Sequence, residues 1–77
     1  MNAPANISKR EDNAAQQSAA FFSLSQTQRR LAHSYKRWAL EDAAEGFMDL
    51  YAKHRAESDR LWQSAKWSLN RARMMLA

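Results

Sequence analysis

Cysteine is absent from the 77 residues, and proline and glycine occur once each, as Pro4 and Gly46. The missing cysteine excludes disulfides, thiolate zinc sites and cysteine nucleophiles together. The scarcity of turn formers argues against strands, because tight turns draw on Gly, Pro, Asn and Asp. No run of about 18 apolar residues is present, so a membrane-spanning helix is not expected. Residues 1–10 also lack the apolar centre of a secretory signal. A reducing, cytoplasmic location is the simplest expectation.

What remains is a chain of 8.9 kDa with a mean hydropathy of −0.75. Its 45% hydrophobic content is a modest apolar supply. Domains this short usually lean on a metal, a disulfide or a second subunit. With the first two disfavoured, self-association or a permanent partner is expected. Ala, Gln, Glu, Arg, Leu and Met dominate the composition, and these are good helix formers. The predicted fold class is all-α.

Residues 1–12 are polar, contain Pro4, and read as a flexible N-terminal arm; residues 13–77 read as one helical domain. Helix one has two candidate starts. Ser25 followed three residues later by Gln28 fits a capping box, and Asp12 or Asn13 could cap an earlier beginning.

At about 100° per residue, Leu24, Gln28, Leu31, Tyr35 and Trp38 fall in one stripe. A second stripe holds Phe47, Leu50, Tyr51, His54, Ser58, Leu61, Ala65, Leu69, Ala72 and Leu76, keeping its phase over a length of about 45 Å. Between them the apolar direction jumps by roughly half a turn, and Gly46 is the residue suited to re-aim the chain. The expected architecture is a hairpin of two long helices, one ending near residue 44 and the other starting near 47. A further break at Ser58–Asp59 would make three helices. One hairpin covers little, so two copies are expected to close a four-helix bundle as a homodimer, with the 47–76 stripe as its seam.

Charge is blocked along the chain, with a formal total of +4. Residues 29–37 carry Arg29, Arg30, Lys36 and Arg37 without an acid, and the wheel groups them with His33 opposite Leu31, Tyr35 and Trp38. A basic stripe of this kind suits phosphates or an acidic protein surface, although a solvated face explains it as well. Residues 41–49 carry Glu41, Asp42, Glu45 and Asp49 without a base, which would repel a nucleic-acid backbone following the same helix. Residues 26–30 (QTQRR) with Trp38 resemble, over a handful of positions, the arginine-rich peptides of phage antitermination proteins. The dense arginine run of those peptides is missing here, and no function is carried over from the likeness.

Trp38 and Trp62 sit on or beside the stripes and are expected in the core. Trp67 points away from the 47–76 stripe, with Met74 seven residues on and Arg60 and Arg71 nearby. An aromatic, a methionine and arginines together have the composition of a binding hot spot. The basic, Trp-bearing tail from Leu61 also describes a membrane-surface helix, but its apolar face continues the stripe and needs no lipid. His33 and His54 fall on different faces, His54 reading as a partly buried histidine with a hydrogen-bond partner. No HExxH, Glu-x-x-His or glycine-rich phosphate motif is present. No catalytic, metal or cofactor residue is expected, and the chain is not read as an enzyme.

The functional expectation is a small helical interaction protein that occupies a surface on a larger protein complex as inhibitor, adaptor or regulator. Its candidate contacts are Arg29, Arg30, His33, Lys36, Arg37, Arg60, Trp67, Arg71 and Met74. In economy of size it is similar to accessory proteins of bacteria, phages and prophages, including inhibitors of host defence complexes. The alternative expectation is a nucleic-acid-binding regulator using the 29–37 stripe.

Overall fold

A computed structural model describes residues 3–76, with side chains from Asn13 onward. Two α-helices account for nearly all of it: α1, Ala3–Ala44, and α2, Met48–Leu76, antiparallel and packed along each other. Helix α2 runs unbroken through Ser58–Asp59, with no break there to start a third helix among the described residues. Helix α1 starts at Ala3, within the segment read as an arm. Pro4 stands in its first turn, where a proline lacks nothing the helix would use.

The turn is where glycine was expected to act. Gly46 has φ of 83°. Its N–H donates to the Ala43 carbonyl at 3.1 Å, and the Phe47 N–H reaches back to the Asp42 carbonyl at 2.8 Å. These two bonds form a Schellman motif, which satisfies the last carbonyls of α1 as the chain reverses. Asp49 then places a negative charge in the first turn of α2, matching the helix dipole,. A Cβ on Gly46 would meet no atom within 4 Å. Gly46→Ala should therefore lose stability through backbone strain alone, by about 1 kcal/mol, read from the midpoint of a urea melt.

The core differs from the predicted stripes. Among the described side chains of α1 the buried residues are Ser18, Ser25, Ala32 and Ala39, seven apart. Leu24, Leu31 and Trp38 each precede one of them and are left 44%, 44% and 41% exposed. The inward direction is thus rotated by about one residue, or 100°. In α2 the stripe is recovered better: Ser58, Leu61, Ala65 and Ala72 are buried, joined by Ser68, whereas Phe47, Leu50 and Leu76 are exposed. Trp38 is not in the core, and Trp62 is only half-buried.

Small inward residues let the two backbones approach until serine hydroxyls cross between helices. Ser18 Oγ donates to the Ala72 carbonyl at 2.8 Å, Ser25 Oγ to the Ala65 carbonyl at 2.9 Å, and Ser58 Oγ to the Ala32 carbonyl at 2.8 Å. Each rung sets a serine against an alanine, and the donor changes helix at the third. Ser68 Oγ adds a bond to Gln28 Oε1 at 2.8 Å. A mid-helix serine often bonds back to its own preceding turn; here it ties the helices together. Ser25, read as a possible cap, belongs to this ladder. Among the described residues no buried side-chain polar atom lacks a partner.

The molecule is a rod of 68 × 13 × 13 Å. At about 1.5 Å per residue, α1 is roughly 20 Å longer than α2 and continues past its end. Among the described residues no helix is long and apolar enough to cross a membrane.

Candidate partner-binding faces

A ladder of Ser and Ala seals the inside, so the large side chains stand on the two flanks of the rod. A residue immediately after an inward position of α1 turns to one flank, and a residue immediately before it turns to the other. The contacts between helices identify which elements share each side.

On the first flank, His33 packs edge-on against Trp62, ring centroids 5.1 Å apart. The Arg29 guanidinium lies over the same indole, 5.8 Å from its centroid. Arg29, Arg30 and His33 border one shallow hollow with Gln26. Lys36 is one heptad beyond Arg29 and takes the same bearing. Lys66 lines a second small hollow beside Trp62. Further from the turn, an apolar groove of about 500 Å³ is bounded by Ala15, Ala19, Phe22, Leu69 and Leu76, with Arg73 at its edge. This basic flank offers cations around a half-buried tryptophan, continued by an oily trough.

The opposite flank is aromatic. Phe21 meets Trp67 edge-to-face at 5.7 Å. Nearer the turn, Tyr35 stands edge-on to Trp38 at 5.1 Å, and both rings lie within about 6 Å of His54. His54 Nδ1 is 2.5 Å from Asp42 Oδ2, the imidazole N–H donating to a carboxylate that can only accept. His54 is therefore the half-buried histidine with a partner that its place on the stripe suggests. Asp42 belongs to this pair and not to a purely solvated acidic face. Between the aromatic clusters, Arg60 Nε donates to Glu57 Oε2 at 3.1 Å, and its Nη2 to Glu57 Oε1.

That hydrogen bond holds the Glu57 carboxyl below its ordinary value, opposed by a little desolvation and aided by the guanidinium charge. The Arg60 guanidinium is raised in turn, chiefly by the same hydrogen bond. Any stability from Glu57 is present above the ordinary carboxylate value and fades as pH falls through the lowered one. Both groups face solvent, and an exposed pair of this kind contributes little.

The nine candidate contacts thus divide. Arg29, Arg30 and His33 are brought together, with Lys36 on the same bearing and Arg37 one heptad from Arg30. Arg60 and Trp67 lie on the aromatic flank and its outer edge. Arg71 and Met74 follow them along α2, both exposed. Trp67 is 59% exposed, as its position off the stripe suggests, although its contact with Phe21 was not foreseen. The sequence reading also missed Trp62 as the floor of the basic flank. Its clue is the spacing: Trp62 immediately follows Leu61, which points inward, so it turns to the flank occupied by Arg29.

Neither a family model nor a curated protein matches the chain, and no solved structure does.

Proposed function

We propose that this chain is a small non-enzymatic interaction protein that binds a larger protein or protein complex as an inhibitor, adaptor or regulator, working in the cytoplasm. One observation carries the reading: small residues are inside and large ones outside. Among the described residues the buried hydrophobic positions are four alanines and Leu61, while Phe22, Leu24, Leu31, Trp38, Trp67 and Met74 are all exposed. A chain whose aromatics, methionines and arginines face outward has placed its contact-forming side chains where a partner can cover them.

The basic flank is the proposed contact with that partner. Arg29, Arg30, His33, Lys36 and Arg37 would meet acidic side chains, with Trp62 and the Phe22 trough supplying apolar area. Arg60, Trp67, Arg71 and Met74 form a second proposed contact on and behind the aromatic flank. The same outward apolar surplus supports self-association into a four-helix bundle.

Arg30 and Arg37 are the positions to test, because Arg29 also packs on Trp62. Arg30→Glu with Arg37→Glu should leave the helical circular dichroism unchanged. The double change should also abolish capture of the partner from a nuclease-treated bacterial lysate. The stacking of Arg29 on Trp62 beside Lys66 keeps a second reading open, a nucleic-acid-binding regulator. That reading prevails if nuclease removes the captured material and wild-type binding to DNA or RNA falls steeply with salt. If the reversed protein captures the same partner as wild type, the basic flank is only a solvated face.

A further inference from the structure

Leu24, Leu31 and Trp38 repeat every seven residues along the aromatic flank of α1, each 41–44% exposed. A seven-residue apolar repeat is the spacing with which one helix receives the side chains of another. Beside them toward solvent, Ala20, Thr27 and Ser34 carry no charge; Arg30 and Arg37 lie about 60° further round, and Arg29 and Lys36 turn to the other flank. Helix α2 brings the paired Glu57 and Arg60 to this flank, with Lys53 and Arg71 on the bearing of Arg60 at its outer edge. The strip from Ala20 to Trp38 is therefore both greasy and neutral, which suits a buried seam and not a solvated face.

The exposed area is of the size a partner would cover. The chain exposes 5991 Å². A compact monomer of this mass exposes about 4,800 Å², an excess of roughly 1,200 Å². That excess is comparable with the ~800 Å² that each partner surrenders in a stable interface.

We infer that a second copy of this chain covers the Leu24–Leu31–Trp38 strip, antiparallel, about a two-fold axis lying between Leu24 and Leu31. The inference rests on the self-association proposed above and says which surface performs it. Leu24 of one copy then faces Leu31 of the other. The Tyr35–Trp38 cluster comes level with residues 17–20 of the other copy, just beyond its Phe21. The opposite flank is less suited to the same task, because Arg29, Lys36, Lys66 and Arg73 would all confront their own copies there, against Lys53 and Arg71 at the outer edge of this one. The 47–76 stripe, expected from the sequence to be the seam, is largely spent on α1. A dimer built on the neutral strip leaves both basic flanks facing outward on opposite sides of a four-helix bundle.

Sedimentation of wild type, Leu31→Glu and Leu69→Glu on the basic flank tests this, with cross-linking of Thr27→Cys and Gln26→Cys as a second measurement. Wild type should sediment at twice the chain mass at tens of micromolar. Leu31→Glu should weaken the dimer about 30-fold or more while keeping its helical signal, and Leu69→Glu should remain dimeric. A clean wild-type monomer at that concentration overturns self-association itself. A dimer that survives Leu31→Glu and is lost in Leu69→Glu upholds self-association but overturns this seam. Should Leu31→Glu unfold, Thr27→Cys decides, since the chain has no other thiol. Bridging of Thr27→Cys by a short bis-maleimide, with Gln26→Cys left unbridged, supports the seam; the reverse pattern overturns it.

Discussion

Ala32→Leu should destabilise the hairpin by about 3 kcal/mol or more. Ala32 is wholly buried, and its carbonyl receives the Ser58 hydroxyl at 2.8 Å. A leucine there has no space and can be admitted only by moving α2 outward. Overpacking of this kind costs roughly 1–3 kcal/mol. Separation would also stretch the hydroxyl bonds of Ser58 and Ser25, and each buried hydroxyl left unmatched costs about 1–3 kcal/mol more. The total stability of a chain this long is on the order of 4–11 kcal/mol, so the loss is a large fraction of it. Ala56→Leu, exposed on the outside of α2, is the control and should be close to neutral,. Urea melts followed at 222 nm compare the two. Equal midpoints would mean that the helices are not in close contact at Ala32.

The second large effect is expected at Leu61, the one bulky aliphatic side chain buried among the described residues, 7% exposed. Leu61→Ala should cost about 2–5 kcal/mol, since its neighbours are small and cannot close the space. Trp67→Ala removes far more atoms yet should cost only about 1 kcal/mol. Its ring is mostly solvated, and the edge-to-face contact with Phe21 is worth roughly 0.5–1.5 kcal/mol. In partner affinity the order should reverse, with Trp67→Ala losing about 2 kcal/mol or more if it is a hot spot. Thermal melts of both variants give the first comparison. If Trp67→Ala unfolds as readily as Leu61→Ala, the indole is part of the core and not of a contact surface.

The all-helical class, the turn at Gly46 and the extents of both helices near it were legible in the sequence. One glycine in a chain of strong helix formers leaves few other solutions. The face of α1 was not legible. Hydropathy weights Leu24, Leu31 and Trp38 as inward and gives Ser18, Ser25 and Ala32 almost no weight. Yet a serine that can donate to a carbonyl on the opposite helix is satisfied when buried, and its small size is what permits the approach. The informative signal was the seven-residue recurrence of small residues at 18, 25, 32 and 39, matched by 58, 65 and 72. A search for apolar periodicity passes over it. The basic block was legible as a stripe, whereas its neighbour Trp62 depends on how α2 is rotated, and the expectation of a buried indole there obscured it.

The ladder has a further property. Its rungs are nearly alike, so a slide of α2 by one heptad would set Ser25 against Ala72, Ala32 against Ala65 and Ala39 against Ser58. All of these are small residues that could still pack closely. The interface by itself therefore distinguishes poorly between two registers, a near-degeneracy of the sort that yields mixed states. The slid register would shift the reversal to around Met48 and Asp49, where no glycine supplies a positive φ. Gly46 thus acts as the origin from which the repeat is counted. Moving it along the chain should re-index the pairing of the two helices before it unfolds either.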